Sequence, residues 1–313
     1  MLNNNLCEKD CTTSSIVINR NFKSGHCQIT VRQATENDIP NICELAKQSL
    51  WSVGIINYKL YFHTSPKTWK VAVNSKGEII AFSASNHMPI GARIGYQMLC
   101  KLDYQGYGIT KYFDNMHYSK IPITANMTKL SICRYKFDIL KEKIIGFTGI
   151  CKPWLLNKPA LNGKLQICLL TNDTMKYIFD YDYKVIGFDR QQFVKQWSLE
   201  NGSETLYCHN QQGQCCGYGT IRPCDEYIAI SPLYADDDVT AEFLFYHLYR
   251  KLPTGKLIYV FFPAERILIR KLVAMVQLCQ TDTEFRVYQH KSLFVAEHLA
   301  MDKVYCMHDY WPV

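Results

Sequence analysis

The segment Met98-Leu-Cys-Lys-Leu-Asp-Tyr-Gln105-Gly106-Tyr107-Gly108-Ile109-Thr110 holds the residues best placed to do chemistry. An apolar run with strand character enters a turn with two glycines and then a helical pattern. Such a junction leaves backbone N–H groups at the positive end of a helix dipole, and glycine lets an anion approach the backbone. A phosphate group suits that arrangement. The segment is not a Walker A loop, because Gly-Lys-Ser/Thr is missing. It is not a GxGxxG fingerprint either, because Lys111 stands at the third glycine. A plain strand-turn-helix that uses glycine for positive φ fits the spacing equally well.

The 14 cysteines are a second possible source of chemistry. In a small secreted chain they would spell disulfides. This chain has 313 residues, and its start, MLNNNLCEKDCTTSS, has neither a basic cluster nor an apolar stretch. Reduced thiols and a cytoplasmic location are therefore expected. Cys7 and Cys11 sit in a leader, Cys215 and Cys216 are adjacent, and no CxxC pair occurs, so no metal is expected. The longest apolar stretch, Leu257 to Phe262, is closed by Pro263 and is too short for a membrane span.

Charge divides the chain. Residues 1–160 carry 20 Lys+Arg against 10 Asp+Glu, a balance of +10, whereas residues 161–313 carry 15 against 18, a balance of −3. The first half should attract an anionic partner: a nucleic acid, a membrane surface or a phosphorylated small molecule. A solvated basic surface is the alternative. The cluster Lys129, Arg134, Lys136, Lys141 and Lys143 belongs to this half and reads first as a solvated face.

The elements that must position these residues occur twice. Glu36-Asn37-Asp38 has a counterpart in Thr171-Asn172-Asp173, 135 residues later. Asn74 to Phe82 has one in Asn210 to Tyr218, 136 residues later. Both longer copies read as polar turn, Gly, two apolar residues, a small residue and an aromatic, which is a hairpin turn entering a strand. Trp69 to Val73 and Thr205 to His209 are the partner strands. In the first copy, Ile29 to Arg32 alternates like a strand. Asn37-Asp38 caps a helix to about Leu50, with Ile39, Ile42, Leu45 and Ala46 on one face. Arg93 to Lys101 is a strand, Ile109 to Tyr118 a helix, Lys129 to Cys133 a strand, and Asp138 to Ile145 a helix ended by Gly146. The reading is an α/β protein of two tandem units, each a mixed, mostly antiparallel sheet flanked by helices. A flexible leader covers 1–28, the first unit 29–160 and the second 161–313. The boundary lies at Asn157 to Gly163, where Pro159, Asn162 and Gly163 cluster.

The order strand, capped helix, hairpin, strand, Gln-x-x-Gly, helix resembles the Gcn5-related N-acetyltransferase (GNAT) superfamily. Gln105 to Ile109 matches its pyrophosphate loop, Arg/Gln-x-x-Gly-x-Gly/Ala, and Thr110 departs at the last position. Val185 to Arg190, Gly217 to Cys224 and Ser231 to Asp237 are similar to the C-terminal domain of YitH/HolE-type tandem acetyltransferases. The resemblance spans about residues 29–313.

What the resemblance implies falls on particular residues. Met98, Leu99 and Cys100 would bond the pantetheine arm through their backbone, and Gln105, Gly106, Tyr107, Gly108, Ile109 and Thr110 would hold the pyrophosphate of acetyl-CoA. The second unit has Tyr234-Ala-Asp-Asp-Asp-Val239 in place of that loop. Three carboxylates repel a pyrophosphate, so this unit should not bind coenzyme A. The reaction is attack by a primary amine on the acetyl thioester, the amine belonging to a small molecule or a protein. His87 and Tyr96 are the candidates for the base. The usual acid is a Tyr four residues before a Gly-Phe pair; here that position, before Gly146-Phe147, is Glu142. The alternatives are a catalytically inactive acyl-CoA-binding module, and a nucleic-acid-binding protein using the basic half. The first would bind acetyl-CoA without releasing thiol. The second would show salt-dependent binding that acetyl-CoA does not displace. No membrane partner is expected.

Overall fold

The computed structural model describes residues 15–22, 25–48, 54–87, 93–109, 111–113, 123–127, 139–159, 165–200, 202–288 and 299–307. Strands β1 Ile16–Phe22, β2 Gly25–Gln33, β3 Lys70–Asn74, β4 Ile79–His87 and β5 Arg93–Cys100 form an antiparallel meander. β8 Leu165–Leu169, β9 Glu204–Asn210, β10 Cys215–Pro223 and β11 Ile228–Ala235 form another. Each ends on a parallel neighbour: β6 Ile123–Met127 beside β5, and β12 Leu257–Pro263 beside β11.

The two meanders are joined by an exchange. β13 Cys279–Tyr288, from the second half, pairs with β6, and β7 Ile139–Ile150, from the first half, pairs with β12. β7 and β13 also pair with each other. The described strands thus run in one sheet in the order β1-β2-β3-β4-β5-β6-β13-β7-β12-β11-β10-β9-β8, and β14 Val304–Cys306 pairs with β11 off that path.

Helices cover both faces. α1 Ile39–Gln48, α2 Ile55–Thr64, α3 Met175–Ile186 and α4 Gln191–Leu199 contribute to one apolar core that spans both halves, from Ile42 and Tyr61 to Val185 and Trp197. α5 Asp238–Lys251 and α6 Ile267–Met275 cover the other face of the second meander, through Leu244, Leu248 and Leu272. Ile109 and Phe113 pack against Ile29, Val31 and Ile80 on that face of the first. No helix among the described residues is long and apolar enough to cross a membrane.

The duplicated turns match atom for atom. The Asn74 side-chain oxygen accepts from the Lys76 and Glu78 amides, both at 3.0 Å. The Asn210 oxygen accepts from Gln212 and Gln214, again both at 3.0 Å. An Asx turn of this kind is set by one side chain within four residues, so it survives divergence elsewhere.

Three sequence expectations need correction. The first helix is capped by Thr35, not by Asn37-Asp38: Asp38 closes a capping box with the Thr35 amide and hydroxyl, at 2.7 and 2.9 Å. The leader is not flexible through residue 28, because β1 pairs with β2 from Ile16 onward. Asp138 to Ile145 is not a helix. Residues 139–150 form β7, wedged between β12 and β13. Pairing on both flanks, with β12 and with β13, overrides the local pattern. Gly146 does not stop a helix; it sits mid-strand, where a Cβ would meet the Tyr259 hydroxyl at 2.5 Å. Most of the basic cluster, Lys129 to Lys136, and the strand expected over 129–133 lie outside the described residues.

Candidate active site

β5 and β6 are paired only at Arg93–Ile123 and Ile94–Thr124. β5 then runs on to Cys100, and no other described strand takes up the rest of that edge. A bulge marks the divergence. Between the pairs Ala84–Gln97 and Asn86–Ile94, two steps on β4 face three on β5, so the extra residue falls at Gly95-Tyr96. The Lys101 amide donates to the Ile80 carbonyl at 2.9 Å. Antiparallel ladders alternate, so Leu99 faces β4, while Met98 and Cys100 turn their backbone groups toward the diverging side. The Cys100 carbonyl accepts from the Gln105 side-chain amide at 2.9 Å, which ties the following loop to the strand. Burial pushes the Cys100 thiol up to about 11. It is therefore protonated at neutral pH and a poor nucleophile.

The loop itself carries the left-handed glycines that its sequence promised. Gly106 has φ of +84° and Gly108 of +74°, both costly for any other residue. A Cβ at Gly106 would meet nothing within 4 Å, and one at Gly108 only the Lys111 side chain at 3.8 Å. Space therefore lies open over the backbone, with a lysine at its rim. Ile109, only 2% exposed, anchors the end of the loop in the core. Thr110 lies outside the described residues.

On the opposite face, at the bulge, a cleft of about 240 Å³ is lined by Tyr58, Tyr61, Trp69, Asn86 and Gln97. The Tyr58 hydroxyl donates to Gln97 at 2.9 Å, and burial raises its pKa well above that of free tyrosine. The buried Trp69 indole N–H has no partner among the described residues. Tyr58 and Tyr61 lie on α2, far from β5 in the chain, and nothing in the local sequence aims them at it. His87 ends β4 opposite Arg93, and Tyr96 stands at the bulge, so their backbones flank the same point. Glu142 stands on β7, with β6 and β13 between it and β5. Three strand spacings put its backbone ~14 Å away. The side chains of His87, Tyr96 and Glu142 lie outside the described residues.

The second half repeats the divergence and the bulge. β11 and β12 pair only at Ile228–Ile258 and Ala229–Tyr259, and the extra residue falls at Ser231-Pro232. Here the gap is filled. β14 pairs with β11 at Leu233–Cys306 and Tyr234–Val304, and the Met307 amide donates to the β12 carbonyl of Phe261 at 2.7 Å. The connection to the helix has shrunk to Asp236 and Asp237, and Tyr234 and Ala235 are strand residues rather than loop. Asp237 caps α5 through the Thr240 amide at 2.7 Å. Asp236 pairs with Lys303, and Asp238 accepts from the Tyr305 hydroxyl at 2.7 Å. Two of the three carboxylates expected to repel a phosphate, Asp236 and Asp238, thus hold the chain's own β14. Arg266 fastens it further, donating to the Val304 carbonyl at 2.7 Å and lying 4.7 Å from the Tyr305 ring. Nearby, Arg190 makes a buried fork on Asp182 at 2.6 and 2.8 Å, which is a core tie. Among the described residues no group of three or more His, Cys, Asp or Glu is placed to hold a metal ion.

A diverging parallel pair, a bulge at the split and a helix after the strand, built twice, is a specific arrangement. Residues 178–298 match the family model of the acetyltransferase (GNAT) domain. No curated protein matches the chain. Among solved structures, one of a Pyrococcus horikoshii protein assigned as an acetyltransferase superposes with a TM-score of 0.66 at 15% identity, covering 89% of this chain and 94% of that one. A GCN5-related N-acetyltransferase from Sphaerobacter thermophilus gives 0.59 at 8%, covering 83% and 95%. A GCN5-related glucosamine N-acetyltransferase region of a fungal multi-domain β-N-acetylglucosaminidase gives 0.57 at 10%, covering 91% of this chain and 39% of that one. At such identities the likeness is one of fold, and it extends over 83–91% of this chain. The family-model match falls on the half whose gap is filled.

Proposed function

We propose that the protein is an acetyl-CoA-dependent N-acetyltransferase that works through its first half, residues 29–160, with residues 161–313 as a supporting unit that does not bind coenzyme A. The observation that carries this reading is the pairing of the diverging β5 edge with a loop whose two left-handed glycines leave open space above the backbone. Met98 to Cys100 would take the pantetheine arm as an added strand, and Gln105 to Thr110 the pyrophosphate. The GNAT fold and the basic balance of this half support the assignment.

In this reading the acceptor amine enters from the cleft of Tyr58, Tyr61, Trp69 and Gln97. Its nitrogen attacks the thioester carbonyl carbon while the Cys100 amide stabilises the oxyanion. The C–S bond then breaks, and His87 or Tyr96 takes the ammonium proton. Glu142 stands on the third strand along from β5, so in this reading the thiolate leaves without an acid from that position. That separation also favours a second reading, an inactive acyl-CoA-binding module.

Calorimetry with acetyl-CoA on the wild type and on Gly108→Glu tests the assignment. The wild type should bind one equivalent, and the introduced carboxylate should weaken binding at least ~100-fold, since like charges in contact cost several kcal/mol. No binding by the wild type, or equal binding by the variant, sinks it. Thiol release with an amine panel separates the enzyme from the inactive module.

A further inference from the structure

Two of the three motifs in the second half meet at a pocket that the acetyl-transfer reading does not use. It lies on the seam between the halves, where the lining residues surround about 340 Å³ of space that is partly open to solvent. Tyr61 and Asn57 come from α2 of the first half, Trp197 from α4, Ser231 from the β11 bulge, and Tyr259 and Phe261 from β12. Met307, next to β14, closes it on the side where a cofactor arm would otherwise run. The second unit has therefore lost its cofactor gap but kept a cavity beside it.

The polar groups around this cavity are unusual. Arg222, from the Gly217 to Cys224 motif, is 1% exposed. Its Nε donates to the Asn57 side-chain oxygen at 2.5 Å, and its Nη1 to the Trp197 carbonyl at 2.6 Å and the Ser203 hydroxyl at 2.8 Å. All three acceptors are neutral. Its Nη2 has no partner, and no carboxylate pairs with it among the described residues. Burial pulls its pKa down to about 10. Asn57, Trp197, Cys224 and the cross-strand partner Ala229 all touch or adjoin Arg222 and all line the pocket. Ser231, from the Ser231 to Asp237 motif, is 5% exposed, and its hydroxyl is also without a partner. Glu200 is the carboxylate whose field reaches Arg222, without forming an ion pair with it; Asp225 pairs with Lys47 at 3.2 Å, and Asp282 accepts from the Tyr259 hydroxyl at 3.3 Å.

We propose that this seam pocket binds a small molecule with a planar apolar body and a carboxylate. The aromatic walls take the body. The guanidinium, buried just behind the wall without an ion-pair partner among the described residues, biases the cavity toward anions in a low-dielectric setting, and the Ser231 hydroxyl offers a donor. Aromatic walls alone would also welcome an ammonium ion; the buried arginine, 4.0 Å from the Trp197 ring, opposes it. This inference does not rest on acetyl transfer.

Calorimetry on the full chain with phenylacetate, phenylacetamide and phenethylamine tests it. Phenylacetate should bind, the amide about tenfold or more weaker, and the amine not measurably, because only the carboxylate is attracted by the charge buried behind the wall. Arg222→Gln should erase the preference for the acid over the amide. Ala229→Leu, which fills the cavity and leaves the charge in place, should abolish binding while cooperative thermal unfolding persists. Absence of phenylacetate binding overturns the proposal. So does equal binding of amide or amine, or retained binding in a folded Ala229→Leu protein.

Discussion

The gaps beside β5 and β11 share strand order, parallel neighbour and bulge, yet they have opposite contents. Beside β5 stands a ten-residue connection, 101–110, with two left-handed glycines and a lysine at the rim. Beside β11 stand Asp236 and Asp237 alone, and the chain's own β14 lies in the gap. A parallel strand pair that splits leaves backbone groups unbonded, and something must bond them. In the proposed reading one half leaves the place to a ligand; the other fills it from within. The lesson is that a shortened loop and an internal strand form one change: the carboxylates that make phosphate unwelcome are the partners of Lys303 and Tyr305.

The largest expected effect breaks the filled gap. Tyr305→Ala removes a ring that is 2% exposed, its bond to Asp238 and its contact with Arg266. The cost should be about 3–5 kcal/mol in urea unfolding. A loss under 1 kcal/mol would mean that β14 is not what holds β11 and β12 together. In the other gap, Cys100→Ala should cost about 1 kcal/mol and leave acetyl-CoA binding in place, because only its backbone faces the ligand.

The two capping boxes sharpen the comparison by pH. In the first half the box closes on Asp38. Burial alone would raise its pKa, but hydrogen bonds from Arg32 and Thr35 outweigh it and hold the carboxyl below its ordinary value. A lowered pKa gives stability that is complete above the unfolded value, ~3.9, and is lost as pH falls through the folded one. The Thr171–Thr174 box carries no charge. Hydrogen exchange below pH 4 should therefore show the first turn of α1 losing protection before that of α3. Simultaneous loss would show that the two boxes do not act locally.

The smallest effect lies in the twin turns. Asn74→Ala removes four side-chain bonds and Asn210→Ala three, the third being its donation to the Gln214 side chain at 3.4 Å, at about 0.5–1.5 kcal/mol per bond at most. Asn74 should cost more, because it is 7% exposed, its bond to Glu78 at 3.1 Å ends on a carboxylate, and it alone also donates to a tyrosine, Tyr104 at 3.4 Å. Thermal melts of the two variants would show equal shifts if those extra bonds contribute nothing.

The residues themselves decided whatever is settled within a few positions of the chain. Asn74 and Asn210 dictate their turns through their own amide neighbours, and Gly106 and Gly108 allow backbone angles that other residues resist. The alternation in Ile29 to Arg32 marks a half-buried strand. These features were legible because their partners lie within about five residues. Tertiary structure decided the rest. Ile139 to Ile150 has an ambiguous period and became a strand only because β12 and β13 flank it. The filling of the second gap joins Val304 to Tyr234 across 70 residues of chain, and the seam pocket joins Asn57 to Arg222 across 165. No local pattern encodes such pairings. They form where closing long loops is repaid by burying two edges and an aromatic seam at once, and that balance exists only in the assembled sheet.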